Sequence, residues 1–136
     1  MISVVIPVYN IERYIETCLK SLSEQTFRDF ELILVNDGST DSSPILAENF
    51  LKQSDLNWKM IHKENGGLAS ARNTGIRNSN GDYIVCIDGD DAISRDFLEK
   101  LYLSLEEHDA DLSFCAFAYV RKQIPPEDEN SLAEVY

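Results

Sequence analysis

Two runs that are nearly all apolar, with no regular alternation of polar residues, Ile2–Pro7 and Glu31–Asn36, flank a stretch with helical periodicity. A strand with one wet face alternates apolar with polar residues. These runs do not, so they belong to strands covered on both faces, as in a parallel sheet. Between them Ile11, Tyr14, Ile15, Cys18, Leu19 and Leu22 recur at helical spacing, with Asn10 placed to cap the segment. The alternation then continues. Asp37–Asp41 is a turn cluster, and Ser43-Pro44 reads as an N-cap followed by proline at the first helical position, leading into Ile45, Leu46, Phe50 and Leu51. Trp58–His62 predicts a third, shorter strand, Glu64–Gly67 a loop, and Leu68–Asn78 a helix whose Ala69, Ser70, Ala71 and Gly75 permit close packing. Tyr83–Ile87 predicts a fourth strand, Phe97–Leu105 an amphipathic helix, and Leu112–Val120 a fifth strand. Strands and helices in this order predict an α/β fold: a mostly parallel sheet flanked by helices, with right-handed crossovers.

A chain of 136 residues holds one domain with a real core. The expected domain spans residues 1–120, with 121–136 (Pro125-Pro126 and an acidic end) as linker or tail. Twelve basic against 24 acidic residues give a formal charge of −12, which argues against a nucleic-acid-binding surface, since that would need basic patches. Cys18, Cys86 and Cys115 lie far apart in apolar contexts and predict buried free thiols in a reducing compartment. No basic segment precedes the first apolar run, so no signal peptide is expected. No run approaches the ~18 apolar residues of a membrane span. The expected location is cytoplasmic, compatible with peripheral contact at the cytoplasmic face of a membrane.

Ligands of open parallel sheets bind outside the carboxyl ends of the strands. Pro7-Val8-Tyr9-Asn10, Asn36-Asp37-Gly38 and Asp88-Gly89-Asp90 all follow strands, so the polar chemistry converges on that edge. Asp88, Asp90 and Asp91 repel one another unless a cation meets them. Hard divalent ions favour such oxygen donors, and Mg²⁺ often shares one or two carboxylates with substrate phosphates. The competing reading is a solvated turn that caps the next helix through Asp91 or Ser94. Tyr9 offers a face for stacking a base, or packs. Asp37 accepts a pyrimidine imino N–H, or closes a turn over Gly38 and Ser39. Asp88 accepts from ribose hydroxyls and Asp90 holds a metal bridging two phosphates. Arg72 is a cationic fork for phosphate or for orienting Asp37, or a surface ion-pair partner. Asp41 reads as a turn or cap residue, His62 and His108 as a strand-edge and a helix-end side chain. Glu12 fits either first-turn electrostatics or ligand contact.

Four segments in order carry a resemblance: Ser3–Asn10, Val35–Asp41, Asn65–Gly75 and Asp88–Asp91. Together they resemble family 2 glycosyltransferases of the GT-A fold, whose nucleotide-binding half is Rossmann-like. The resemblance implies an inverting, metal-dependent transferase that uses a nucleotide-diphosphate sugar, commonly a UDP-sugar, and Mn²⁺ or Mg²⁺. Carried over by position, Pro7, Val8, Tyr9 and Asn10 would line the base pocket and Asp37 would bind the base. Arg72 would lie near the nucleotide. Asp88, followed by Gly89, would touch ribose or metal, and Asp90 would be the main metal ligand in a DXD motif. The acceptor would be a carbohydrate or a lipid-linked group, in roles such as cell-surface polysaccharide synthesis.

Members of that family supply a carboxylate base and the acceptor pocket from a second half. Glu127, Asp128, Glu129 and Glu134 match no motif for this role. The base is therefore expected beyond residue 136, and the chain as the nucleotide-binding part of a longer enzyme, with self-association through an exposed sheet edge. Nucleotide binding without turnover is the alternative. A nucleotidyltransferase would need a glycine-rich basic loop where Pro7–Asn10 stands. A phospho-acceptor signalling domain would need an acidic pair after the first strand and a lysine after the fifth.

Overall fold

The computed structural model describes residues 1–115. Eight elements follow in order: β1 (Ile2–Val8), α1 (Ile15–Ser23), β2 (Phe30–Asp37), α2 (Ser43–Lys52), β3 (Asn57–Lys63), α3 (Leu68–Arg77), β4 (Tyr83–Cys86) and α4 (Phe97–His108). The four strands form one sheet in the order β3-β2-β1-β4, every neighbouring pair parallel. The predicted α/β architecture is the one observed.

The unbroken apolar runs are explained by the two faces of the central strands. Val4, Ile6 and Val8 of β1 and Leu32 and Leu34 of β2 pack with Ile15, Leu19 and Leu22 of α1, Ala47 and Leu51 of α2 and Leu98 of α4. Val5, Ile33 and Val35 point the other way, onto Ala71 of α3. Alternate residues thus feed opposite cores, and both faces are dry. The chain runs outward from β1 to β2 to β3, then α3 carries it back across the sheet to β4 on the far side of β1. Reversing direction with right-handed crossovers puts the return helix on the opposite face. The crevice opens where the order reverses, between the carboxyl ends of β1 and β4.

Four sequence expectations need correction. The first helix begins at Ile15 rather than after Asn10, with a turn at residues 12–14. Asn10 has φ 51°, and its side chain is spent on a neighbouring loop, so it caps nothing. The helix after β4 takes Asp96 at its N-cap, not Asp91 or Ser94. Residues 112–115 are not in a strand, and the rest of the expected fifth strand lies outside the described residues, as does the expected tail. Of the thiols only Cys18 is buried; Cys115 is half-buried, and Cys86 is exposed because, among the described residues, β4 is the last strand of the sheet and its α3-side face is left partly open.

Candidate functional site

Because all four strands are parallel, Val8, Asp37, Lys63 and Cys86 end at one edge. Pro7 and Val8, the last two residues of β1, are buried, Val8 wholly so. The residues that reach it are Tyr9, 49% exposed, and Asn10.

Asn10 takes the left-handed conformation that asparagine tolerates better than most residues. Its Oδ1 accepts from the Thr40 amide at 2.8 Å, the Asp41 amide at 3.3 Å and the Thr40 hydroxyl at 3.3 Å. Asp41 returns the link: Oδ1 accepts from the Ser43 amide and hydroxyl, and Oδ2 from the Glu12 amide. Glu12 Oε2 in turn accepts from the Ser42 amide at 3.0 Å. The loops after β1 and β2 are therefore knitted together. Asp41 fills the turn role expected of it, and Glu12 serves the loop.

Asn36, not Asp37, closes the turn, with its Oδ1 accepting from the Ser39 amide at 3.0 Å. The Asp37 side chain is only 4% exposed. Its Oδ1 accepts from Lys63 Nζ at 2.5 Å and the Gly66 amide at 3.0 Å, and its Oδ2 from the Gly67 amide at 2.8 Å. Burial pushes this carboxyl up, but the Lys63 ammonium and the two amides outweigh it and hold Asp37 below its ordinary range. Sequence reasoning missed Lys63. The signal available was positional: it is the last residue of β3, in register with Asp37.

Beyond β4, Ile87 is buried and its amide donates to the Val5 carbonyl, which carries the strand direction to the edge. Gly89 then lies against the end of β1. A Cβ there would stand 2.4 Å from Ile11 Cδ1 and 3.1 Å from the Pro7 carbonyl oxygen, so a larger residue would have to push the Ile11 methyl aside and crowd the end of β1. Asp88 and Asp90 flank it, and the Asp91 amide donates to the Asp88 carbonyl. Arg72, from the second turn of α3, donates through Nη2 to Asp88 Oδ1 at 2.5 Å. It pairs with Asp88 rather than orienting Asp37. Its Nε is buried without a partner among the described residues.

The three carboxylates share one field. Burial, then Asp90 and Asp88, raise Asp91 above its ordinary value. Burial, then Asp91, Asp90 and Asp88, push the Cys18 thiol up to about 12. Among the described residues no three His, Cys, Asp or Glu side chains converge as a ready-made metal cage. His62 and His108 stand apart from these carboxylates, at the edge strand β3 and the end of α4. No helix among the described residues is long and apolar enough to cross a membrane.

Known proteins are similar to this chain in sequence and fold. The model for glycosyl transferase family 2 matches residues 3–133. An uncharacterised glycosyltransferase of Bacillus subtilis, EpsJ, is 42% identical over 133 residues, covering 95% of this chain and 38% of its own length. The glycosyltransferase GlyA of Streptococcus pneumoniae is 43% identical over 112 residues, covering 82% of this chain and 16% of its own. Among solved structures, S. aureus TarS in complex with UDP-GlcNAc superposes with a TM-score of 0.82 at 31% identity, covering 92% of this chain and 36% of TarS. A mannosyltransferase of Pyrobaculum calidifontis in complex with GDP-Man and Mn²⁺ gives a TM-score of 0.73 at 30% identity, covering 95% of this chain and 37% of that one. The chain thus spans under two fifths of the length of these relatives. Its parallel sheet is the Rossmann-like half of the GT-A fold, and the chain belongs to glycosyltransferase family 2.

Proposed function

We propose that this chain binds the nucleotide diphosphate of a UDP-sugar, with a divalent cation, at the carboxyl edge of its sheet. The observation that carries the reading is the cluster Asp88, Asp90 and Asp91 at the strand-order reversal, where among the described residues Arg72 is the single cation paired with any of the three. That leaves an excess of negative charge where a diphosphate would have to lie. A Mg²⁺ or Mn²⁺ ion resolves both problems, since it binds through one or two carboxylates and completes its shell with phosphate oxygens and water. Asp90 and Asp88 fit that donor set, and a closed protein cage is not what such an ion requires. When bound, the ion supplies Lewis-acid neutralisation of the departing diphosphate. The exposed Tyr9 ring offers the base a stacking face. Asp37 offers an acceptor for a base N–H, and Asp88 accepts from ribose.

In the whole protein the reading is inverting sugar transfer to a carbohydrate or lipid-linked acceptor, in cell-surface polysaccharide synthesis at the cytoplasmic face of the membrane. The carboxylate that deprotonates the acceptor lies beyond residue 136. Residues 1–120 are the nucleotide-binding unit and 121–136 connect it to that remainder. UDP and UDP-GlcNAc in the TarS complexes, and Mn²⁺ in the mannosyltransferase, support the donor and the ion. The share of its relatives that the chain spans favours a second reading for this chain alone, binding without turnover.

Calorimetric titration with UDP, with and without Mn²⁺, tests the site. Binding should require the metal and vanish in Asp90→Ala, whose exposed side chain can be removed without loss of the fold. A folded chain that takes up no UDP under either condition would sink the proposal. Sugar transfer by the isolated chain would rule out the second reading.

A further inference from the structure

We infer that Lys63 decides which base this site accepts, by holding Asp37 as an acceptor with a single open edge. The inference rests on the nucleotide-binding reading above. A carboxylate offers about four lone-pair positions. On Oδ1 of Asp37 two are taken, by Lys63 Nζ and the Gly66 amide; on Oδ2 one is taken, by the Gly67 amide. One position on Oδ2 is left.

The clamp is tightly built. Lys63 Nζ also donates to the Glu64 carbonyl at 2.6 Å, which fixes the ammonium between loop and carboxylate. A Cβ on Gly66 would come within 2.8 Å of Lys63 Nζ, and one on Gly38 within 2.9 Å of the Asn65 amide nitrogen. The loops after β2 and β3 are thus in backbone contact around the ion pair. Lys63 is the charged side chain that faces Asp37; the loop before α3 contributes backbone amides alone. With Asp37 4% and Lys63 21% exposed, water screens the pair poorly.

The chemical consequence is selectivity. An ionised carboxylate has no hydrogen to give. It accepts from uracil N3–H or from the N–H edge of guanine. It repels cytosine N3 and adenine N1, which are acceptors themselves. Without the ammonium, buried Asp37 protonates more readily and its acid form can donate to cytosine. Lys63 is a positioning residue, acting through Asp37 without touching the base.

The test is calorimetry on the full chain with Mn²⁺, using UDP and CDP, for the unsubstituted protein, Lys63→Met and Lys63→Arg. The unsubstituted chain should prefer UDP by at least about 100-fold, since a site built for an N–H rejects an analogue lacking it. Lys63→Met should weaken UDP by about tenfold and narrow the preference by at least as much. Lys63→Arg should restore part of it by keeping the charge. A folded Lys63→Met with unaltered UDP affinity and preference overturns the inference. So does equal binding of UDP and CDP by the unsubstituted chain, which leaves the nucleotide-binding reading standing. No UDP binding at all defeats that reading and this one with it. A measurement on the unsubstituted chain stands even if the variants misfold. The Asp37 carboxyl, followed by NMR, should titrate below the ordinary ~3.9, and a midpoint at or above that value overturns the clamp.

Discussion

Replacing Gly75 with alanine tests whether α3 is seated on the sheet by backbone contact. By helix propensity alone the change should stabilise, by about 1 kcal/mol. The structure reverses the sign. A Cβ at Gly75 would stand 2.2 Å from Val5 Cγ1 and 3.1 Å from Cγ2. Ordinary carbon contact begins near 3.5 Å, so the overlap is about 1.3 Å. Val5 cannot yield: it is fully buried on the central strand β1, and its branched side chain has little rotamer freedom. The helix must lift instead. Overpacking of this kind costs roughly 1–3 kcal/mol, and an overlap this deep belongs at the upper end. The net expectation is destabilisation by about 2 kcal/mol, or a fall in Tm of roughly 8 °C. Lifting α3 would also carry Arg72 away from Asp88, so UDP binding should weaken as well. Urea and thermal melts measure the first effect and calorimetry the second. Asn73→Ala, on the exposed side of the same helix, is the control and should stabilise by about 0.5 kcal/mol. Val5→Ala combined with Gly75→Ala should cost less than the two changes summed, because the missing methyls relieve the overlap. A Gly75→Ala chain that melts at or above the unsubstituted temperature would refute the reasoning.

Two further predictions concern stability. Asn10→Ala loses three accepted hydrogen bonds and forces alanine into a left-handed backbone, so it should cost about 2 kcal/mol in a urea melt. Asn10→Gly should recover the backbone part, and equal losses for both would show that φ is not the issue. Glu31 is buried; burial pushes its carboxyl up, but the Ser3 hydroxyl, the Asn80 amides and Lys59 bring it below its ordinary 4.5. A folded-state value below the unfolded one contributes stability above pH 4.5 that is lost as pH falls through the folded value. The stability gap between the unsubstituted chain and Glu31→Gln should therefore be full near neutrality and narrow below pH 4.5; a gap constant into strong acid would contradict this.

The sheet was readable in the sequence because burial on both faces leaves an unambiguous mark: Ile2–Pro7 and Glu31–Asn36 have no polar alternation to confuse with anything else. The edge strands were readable less sharply, and Cys86 shows why. Its apolar neighbours promise burial, but strand order decides exposure, and order is set by a crossover that no local pattern encodes. The same limit separates the site's parts. The position of Asp37, Asp88 and Asp90 at strand ends follows from local sequence alone. Their partners do not. Arg72 is 16 residues from Asp88 in the chain and Lys63 is 26 from Asp37. Both ion pairs exist because parallel register and the return of α3 bring separate strand ends to one level. Asn10 errs in the opposite direction. Its local signal, a cap residue before a helical pattern, was clear and misleading. A left-handed backbone turned its side chain toward Thr40 and Asp41 on the adjoining loop, where three hydrogen bonds outweigh the one that a cap would have made. The residues carrying the chemistry are thus legible one by one, while the geometry that selects a ligand is a property of register. A single cation at the end of β3, within reach of Asp37 only through that register, is where such selectivity would be set.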